Sequence, residues 1–183
     1  METNRRGLLL GAATTNDMVV DQPAISSHHA ALWQERGVVW IADLGSTNGT
    51  FVDEQRLTGQ APVRRTSRIR FGTVPVDVAF VADHMAAAPE AVLVGRDPAC
   101  DVVLDVPVVS SRHLLLLRRP GGACTAVDLC SSNGTSLGHH GARLEEPAQV
   151  SGADVLFLGS YRLPMAALDG RADGRTSLSD RPL

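Results

Sequence analysis

Asp128-Leu-Cys-Ser-Ser-Asn-Gly-Thr135 decides the reading of this chain, because the same phrase occurs earlier as Asp43-Leu-Gly-Ser-Thr-Asn-Gly-Thr50. Working outward, Asp105-Val-Pro-Val-Val-Ser-Ser-Arg-His113 repeats Asp21-Gln-Pro-Ala-Ile-Ser-Ser-His-His29, and Leu156-Phe-Leu-Gly159 repeats Ile69-Arg-Phe-Gly72. The offsets are 84, 85 and 87 residues, taken from Ser26 to Ser110, Asn48 to Asn133 and Gly72 to Gly159. Three blocks kept in one order at a slowly drifting offset mean a duplicated domain of roughly 85 residues, with small loop insertions in the second copy.

Within each copy the elements read as strands. Val38–Ala42, Val74–Val81 and His113–Leu117 are short runs rich in β-formers, bounded by turn residues. Arg36-Gly37 and Pro120-Gly121-Gly122 fit hairpin turns, and the two Asn-Gly pairs supply positions that need positive φ. Helix-like composition is confined to residues 83–91, where Ala86-Ala87-Ala88-Pro89 suits a linker better. Many short strands at close spacing predict an all-β chain. It should form two tandem β-sandwich domains with antiparallel sheets, over residues 1–82 and 91–168, joined by a linker at 83–90. The polar tail, 169–183, is expected to be disordered.

Composition narrows the function. Hydrophobic residues make up 44% and charged residues 20% of the 183, enough for a packed core. The net charge is −3 and the seventeen cations, all Arg, are spread along the chain, which argues against a nucleic-acid surface. The Arg-only usage suggests a GC-rich bacterial source. No apolar run is long enough to span a membrane, and the stretch after Arg5-Arg6 is too short for a signal peptide. Cys100, Cys124 and Cys130 cannot all pair internally and show no CxxC spacing. Reduced thiols in a cytoplasm are the expectation. His28-His29 and His139-His140 are adjacent pairs whose members point apart on a strand, poor geometry for a metal. Neither a metal nor a cofactor is expected.

Binding chemistry gathers in the loops of the second copy. Gly95-Arg96 ends one strand, Ser110-Ser111-Arg112-His113 opens another, and Ser132-Asn133-Gly134 turns the chain after a third. Arg offers a rigid fork of donors, Ser a hydroxyl, and Asn both a donor and an acceptor for a peptide backbone. One cation with several neutral donors suits a single dianionic group on a peptide, whereas a polyanion would require many cations. Singly, Gly-Arg is a strand end, Asn-Gly a turn and Ser-x-x-His a local hydrogen bond. Order and duplication make the set specific. A Ser–His hydrolase is disfavoured because the same Ser-x-x-His recurs in a degenerate copy.

Gly-Arg, then Ser-x-x-His, then Asn-Gly, together with Asp-Leu-x-Ser-x-Asn-Gly-Thr, resembles the forkhead-associated (FHA) domain, a phosphothreonine-binding β-sandwich related to the SMAD-like folds. The resemblance covers nearly the whole chain. It implies that Arg96 and Ser110 hold the phosphate and that Asn133 grips the peptide backbone beside Ser132. Ser111 and Arg112 complete the phosphopeptide-binding set, and Gly95, His113 and Gly134 serve the architecture. It further implies a Thr-phosphorylated partner, either a Ser/Thr protein kinase or its substrate, and no enzymatic activity.

The first copy departs from that pattern. Gly11-Ala12 replaces Gly-Arg, so Ala12, Ser26, Thr47 and Asn48 form a degenerate site without its phosphate anchor. The following loop carries no cation, and Asp17 would repel a phosphate if it faced the site. Each copy begins late for the family, which leaves either a missing edge strand or Val74–Val81 serving both domains. An uncovered edge invites strand pairing, hence self-association. The competing reading is a phosphate-independent scaffold or oligomerisation protein built from the same folds.

Overall fold

The structure is a computed structural model, and it describes residues 5–138, 142–168 and 176–177 of the chain. The chain divides into two compact units, one spanning Arg5–Glu90 and the other beginning at Ala91.

The first unit contains β1 (Gly7–Gly11), β2 (Met18–Val19), β3 (Ala30–Glu35), β4 (Val38–Asp43) and β5 (Thr50–Val52). After these come β6 (Gln55–Arg56), β7 (Gln60–Val63), β8 (Ile69–Phe71), β9 (Val74–Val76) and helix α1 (Val78–Ala87). Its strands form two sheets, ordered β2-β1-β3-β4-β7 and β6-β5-β8-β9. The β3–β4 hairpin closes through Arg36 and Gly37, at φ 50° and 79°, the paired positive values that fit the twist of a two-residue turn. Leu8, Leu10, Leu32, Ile41 and Phe71 are completely buried between the sheets. Each contributes about 1.5–3 kcal/mol relative to exposure.

The second unit repeats the plan with β10 (Glu90–Gly95), β11 (Val102–Val103), β12 (Leu114–Arg118), β13 (Cys124–Asp128) and β14 (Thr135–Leu137). It continues with β15 (Ala148–Val150), β16 (Val155–Leu158), β17 (Tyr161–Pro164), a single 3-10 turn at Met165–Ala167 and β18 (Thr176–Ser177). The sheets run β15-β13-β12-β10-β11-β18 and β14-β16-β17. β2 joins β1, β11 joins β10 and β18 joins β11 in parallel, whereas the hairpins β3–β4, β12–β13 and β16–β17 are antiparallel. Leu114, Leu116, Leu156, Leu158 and Leu163 fill the core. The all-β, two-sandwich architecture read from the repeats is therefore present.

Residues 77–91 differ from the sequence reading. Val74–Val81 does not run on as one strand: β9 stops at Val76, and Asp77 caps α1 by accepting from the Ala79 N–H at 2.8 Å. Segment 83–90, read as a linker, carries the end of this helix and belongs to the first unit. Val81, Met85 and Ala88 lie in that unit's core, and Pro89 accepts from the Gly7 N–H at 3.2 Å. The reason lies in spacing. Val81, Met85 and Ala88 recur at helical intervals of four and three, a weak period in so short a segment. Pro89 then ends the helix, as the residue before a proline avoids the α region.

Of the tail, Thr176–Ser177 pair with Val102–Val103, and its other residues lie outside the described set, as do His139 and His140. Among the described residues no helix is long and apolar enough to cross a membrane.

Met85 is fully buried and Phe80, on the same helix, is 48% exposed. Met85→Ala should destabilise the first unit by about 2–5 kcal/mol through transfer and cavity terms. Phe80→Ala should stay within about 0.5 kcal/mol. Urea unfolding followed by Trp fluorescence checks this, since Trp33 and Trp40 both lie in the first unit. Equal midpoints for the two variants would return α1 to the status of a linker.

Candidate functional site

In the second unit the loops that follow β10, precede β12 and follow β13 are bound to one another by the backbone. Arg96 and Asp97 donate their N–H groups to the carbonyls of Ser110 and Ser111, both at 3.0 Å. The strand end must come this close, and only glycine permits it at position 95: a Cβ there would meet the Ser111 carbonyl oxygen at 2.2 Å. Gly11 stands in the same relation to Ser27 O, again at 2.2 Å.

Beneath these loops lies His113, completely buried. Its Nδ1 accepts from the Ser110 N–H at 3.0 Å, which fixes the proton on Nε2, and Nε2–H donates to the Gly134 carbonyl at 3.2 Å. The imidazole thus joins the Ser110 loop to the turn at Gly134. Asp128 organises that turn, accepting from the Ser131 N–H and hydroxyl at 2.8 and 2.6 Å and from the Thr135 hydroxyl at 2.7 Å. Ser131 Oγ in turn accepts from Gly134 N–H at 2.9 Å. Gly134 holds φ +76°, a conformation other residues adopt only under strain.

The ligand-facing groups sit on this frame. Arg96 is exposed at the end of β10, and among the described residues no carboxylate pairs with it. Ser110 Oγ accepts from the Ser132 N–H at 3.1 Å, which leaves its own hydroxyl hydrogen to donate outward. Asn133 is exposed and donates one Nδ2 hydrogen to the Val108 carbonyl at 2.8 Å, so its amide plane is held in place. Ser111 and Ser132 are exposed neighbours. Arg112 is tied to Asp97, with Nη2 3.7 Å from Oδ2, so its charge is shared with an acid of the loop that follows β10.

The first unit reproduces the frame bond for bond. His29 Nδ1 accepts from Ser26 N–H at 3.1 Å and its Nε2 lies 3.3 Å from Gly49 O. Thr47 N–H donates to Ser26 Oγ at 3.1 Å, and Asn48 Nδ2 donates to Ala24 O at 2.9 Å. The anchor is what differs, with Ala12 in the place of Arg96. Asp17 does not act as the repulsive charge the sequence suggested. Its Oδ2 accepts from the buried Leu9 N–H at 2.9 Å, as Asp101 accepts from Leu93 N–H at 2.8 Å in the second unit. Asp17 is a shared structural acid and does not mark the degenerate site. His28 takes the place of Arg112 and bonds to Asn16 through Nδ1 at 2.8 Å, while His29 is buried. The adjacent pair therefore does point apart.

Sequence reasoning missed Val108, the acceptor that orients Asn133, and Arg143. Arg143 donates from Nη2 to the Ser131 carbonyl at 2.8 Å and lies across Gly134, where a Cβ would meet its Nε at 2.5 Å. Arg56 covers Gly49 in the first unit at the same 2.5 Å. The repeated pair Arg56-Leu57 and Arg143-Leu144 carried that signal at an offset of 87 residues.

The FHA domain family model matches residues 8–72 and 92–159, and the chain belongs to the FHA domain family, with two copies in tandem. Among curated proteins it is similar to the FHA domain-containing protein FhaB of Mycolicibacterium smegmatis, 33% identical over 72 residues, which is 39% of this chain and 46% of that protein. The chain thus spans about half the length of that relative. Among solved structures it is similar to EmbR of Mycobacterium tuberculosis in complex with a low-affinity phosphopeptide, at 29% identity and TM-score 0.34, covering 36% of this chain and 17% of the other. The FHA domain of CT664 from Chlamydia trachomatis gives 27% identity and TM-score 0.36, over 39% and 77% of the two chains.

Burial pushes the imidazoles of both His113 and His29 below their ordinary value of 6.5, outweighing the bond to Gly134 or Gly49 and the nearby Asp128 or Asp43, which act the other way. A folded pKa below the unfolded one means that the unfolded chain binds more protons in acid. The bridging contribution is therefore fully present above about pH 6.5 and is lost as pH falls below it. Thermal melts from pH 7.5 down to 5.5 should show the midpoint falling, and His113→Ala should remove part of that slope in the second unit's transition. The substitution should also cost about 1–3 kcal/mol at pH 7.5, since it orphans the Ser110 N–H. A pH-independent midpoint would contradict a neutral, bridging imidazole.

Proposed function

We propose that this protein is a non-enzymatic binding module, and that its second unit takes a phosphothreonine-bearing segment of a partner in Ser/Thr kinase signalling. The observation that carries this reading is the contrast between Arg96 and Ala12 on two frames that otherwise match bond for bond. An exposed guanidinium without a carboxylate partner among the described residues stands beside the Ser110 hydroxyl, which keeps its hydrogen for donation, a set that suits the oxygens of one phosphate dianion. Asn133, its plane set by Val108, is positioned for the backbone of a bound peptide, with Ser132 and Ser111 alongside. Gly95, His113 and Gly134 hold these groups in place and do not contact the ligand in this reading.

The partner is a Thr-phosphorylated protein, either a kinase or one of its substrates. The FHA domain family model that matches residues 92–159 supports this reading. The thiols of Cys100, Cys124 and Cys130 suit a reducing cytoplasm. A phosphate-independent scaffolding role belongs to the first unit, whose frame is complete while its anchor is missing.

Fluorescence polarisation with a labelled phosphothreonine peptide tests the assignment. Arg96→Ala should weaken binding at least about tenfold, since hydrogen bonds to a charged group contribute about 1.5–3 kcal/mol each and about 1.4 kcal/mol is a factor of ten. Arg96→Lys should also lose affinity, because a point charge cannot reproduce the two-pronged contact. Parental affinity in both variants would overturn the site.

A further inference from the structure

The chain's seventeen cations are spread along its length, yet four of them fall within Arg64-Arg-Thr-Ser-Arg-Ile-Arg70. Local structure explains how the cluster is tolerated. The buried Ser67 hydroxyl accepts from the Arg64 N–H at 3.1 Å and donates to Asp53 at 3.2 Å, while Asp53 also accepts from the Arg68 N–H at 2.8 Å. The acid of this turn is thus occupied by backbone and hydroxyl groups. The guanidinium groups of Arg65 and Arg68 remain exposed, with no carboxylate partner among the described residues.

The adjoining sheet offers them a floor. On β8, Ile69 and Phe71 face the core, so Arg70 between them faces outward, in register with Phe51 on β5 and Pro75 on β9. Its guanidinium lies 3.8 Å above the centre of the Phe51 ring and 3.5 Å from Glu54, and it donates to the Gly72 carbonyl. Arg65, Arg68, Arg70, Phe51 and Pro75 border a shallow hollow of about 510 Å³. The two carboxylates on its rim are both engaged, Glu54 with Arg70 and Asp77 with the first turn of α1.

We propose that this outer face of the first unit docks an acidic, unphosphorylated peptide segment of a partner protein. Two exposed donor forks match carboxylates, and the ring and proline below them match the aliphatic stems of Glu side chains or their apolar neighbours. The same observations disfavour a nucleic acid. A polyanion needs a continuous run of cations, whereas here Asp53, Glu54 and Asp77 are interspersed and the whole chain carries −3. The site is independent of the phosphothreonine reading, since it uses no residue of the second unit.

The test uses the full chain and a fluorescein-labelled peptide of alternating Glu and Gly, with a Gln-for-Glu peptide and an oligo-dT strand of matched length as controls. The Glu probe should bind saturably at low salt, weaken as salt screens exposed charge, and lose about five- to tenfold in affinity in the Arg65→Ala/Arg68→Ala double variant. The Gln probe should bind more weakly than the Glu probe. Because both arginines are exposed, the double variant should keep the parental melting temperature and parental affinity for a phosphothreonine peptide. Arg96→Ala should leave binding of the Glu probe unchanged. Equal binding of the Glu probe by parent and double variant, equal binding of the Gln probe, or tighter oligo-dT binding abolished by the same substitutions would each overturn the proposal.

Discussion

A buried imidazole that must accept at one nitrogen and donate at the other is the constraint on which this molecule's candidate site depends. In each unit it links the loop before one strand to a turn after the next, from Ser110 to Gly134 in the second and from Ser26 to Gly49 in the first. Without this bridge the Ser110 and Ser26 N–H groups would lose their acceptor, while the Gly134 and Gly49 carbonyls would keep only the N–H groups of Gly159 and Gly72. The bridge works only with a neutral ring, and complete burial at 0% exposure supplies that condition. Asp128 and Asp43 shape the same turns through two hydroxyls each.

With that frame fixed, ligand chemistry becomes a matter of few side chains. The two units share the serine, the turn and the asparagine, and part at Arg96 and Ala12. Such separation is physically reasonable: the frame is held by buried hydrogen bonds and close backbone approach, while the anchor is an exposed side chain that the fold does not need. A copy can therefore lose its anchor and keep its shape, leaving its outer faces to other partners.

Much of this was legible in the sequence because repetition turned weak local signals into strong ones. The resemblance to the FHA domain implies architectural roles for Gly95, His113 and Gly134; in the structure Gly95 abuts the Ser111 carbonyl, His113 accepts from the Ser110 N–H and Gly134 lies at φ +76°. What escaped had physical reasons. Val108 acts through its backbone carbonyl, which its side chain does not advertise. Arg143 contributes a stem lying across a glycine, recognisable only by comparison with Arg56. Asp17 looked repulsive because a sequence does not tell which way a carboxylate turns, and here it turns toward a buried N–H. Helix α1 was hidden because two buried positions in its ten residues, with Ala88 just beyond them, compete poorly with the strand-like composition of Val74–Val81.

The account's central claim is that phosphate recognition resides in one of two nearly identical loop clusters. Titration of the uniformly 15N-labelled chain with a phosphothreonine peptide, followed by amide chemical shifts, addresses both clusters in one sample. The account predicts saturable shifts at residues 95–97, 110–113 and 131–134, none at 11–13, 26–29 and 46–49, and none anywhere with the unphosphorylated peptide. Shifts centred on the first unit's loops, or identical shifts with the unphosphorylated peptide, would contradict it.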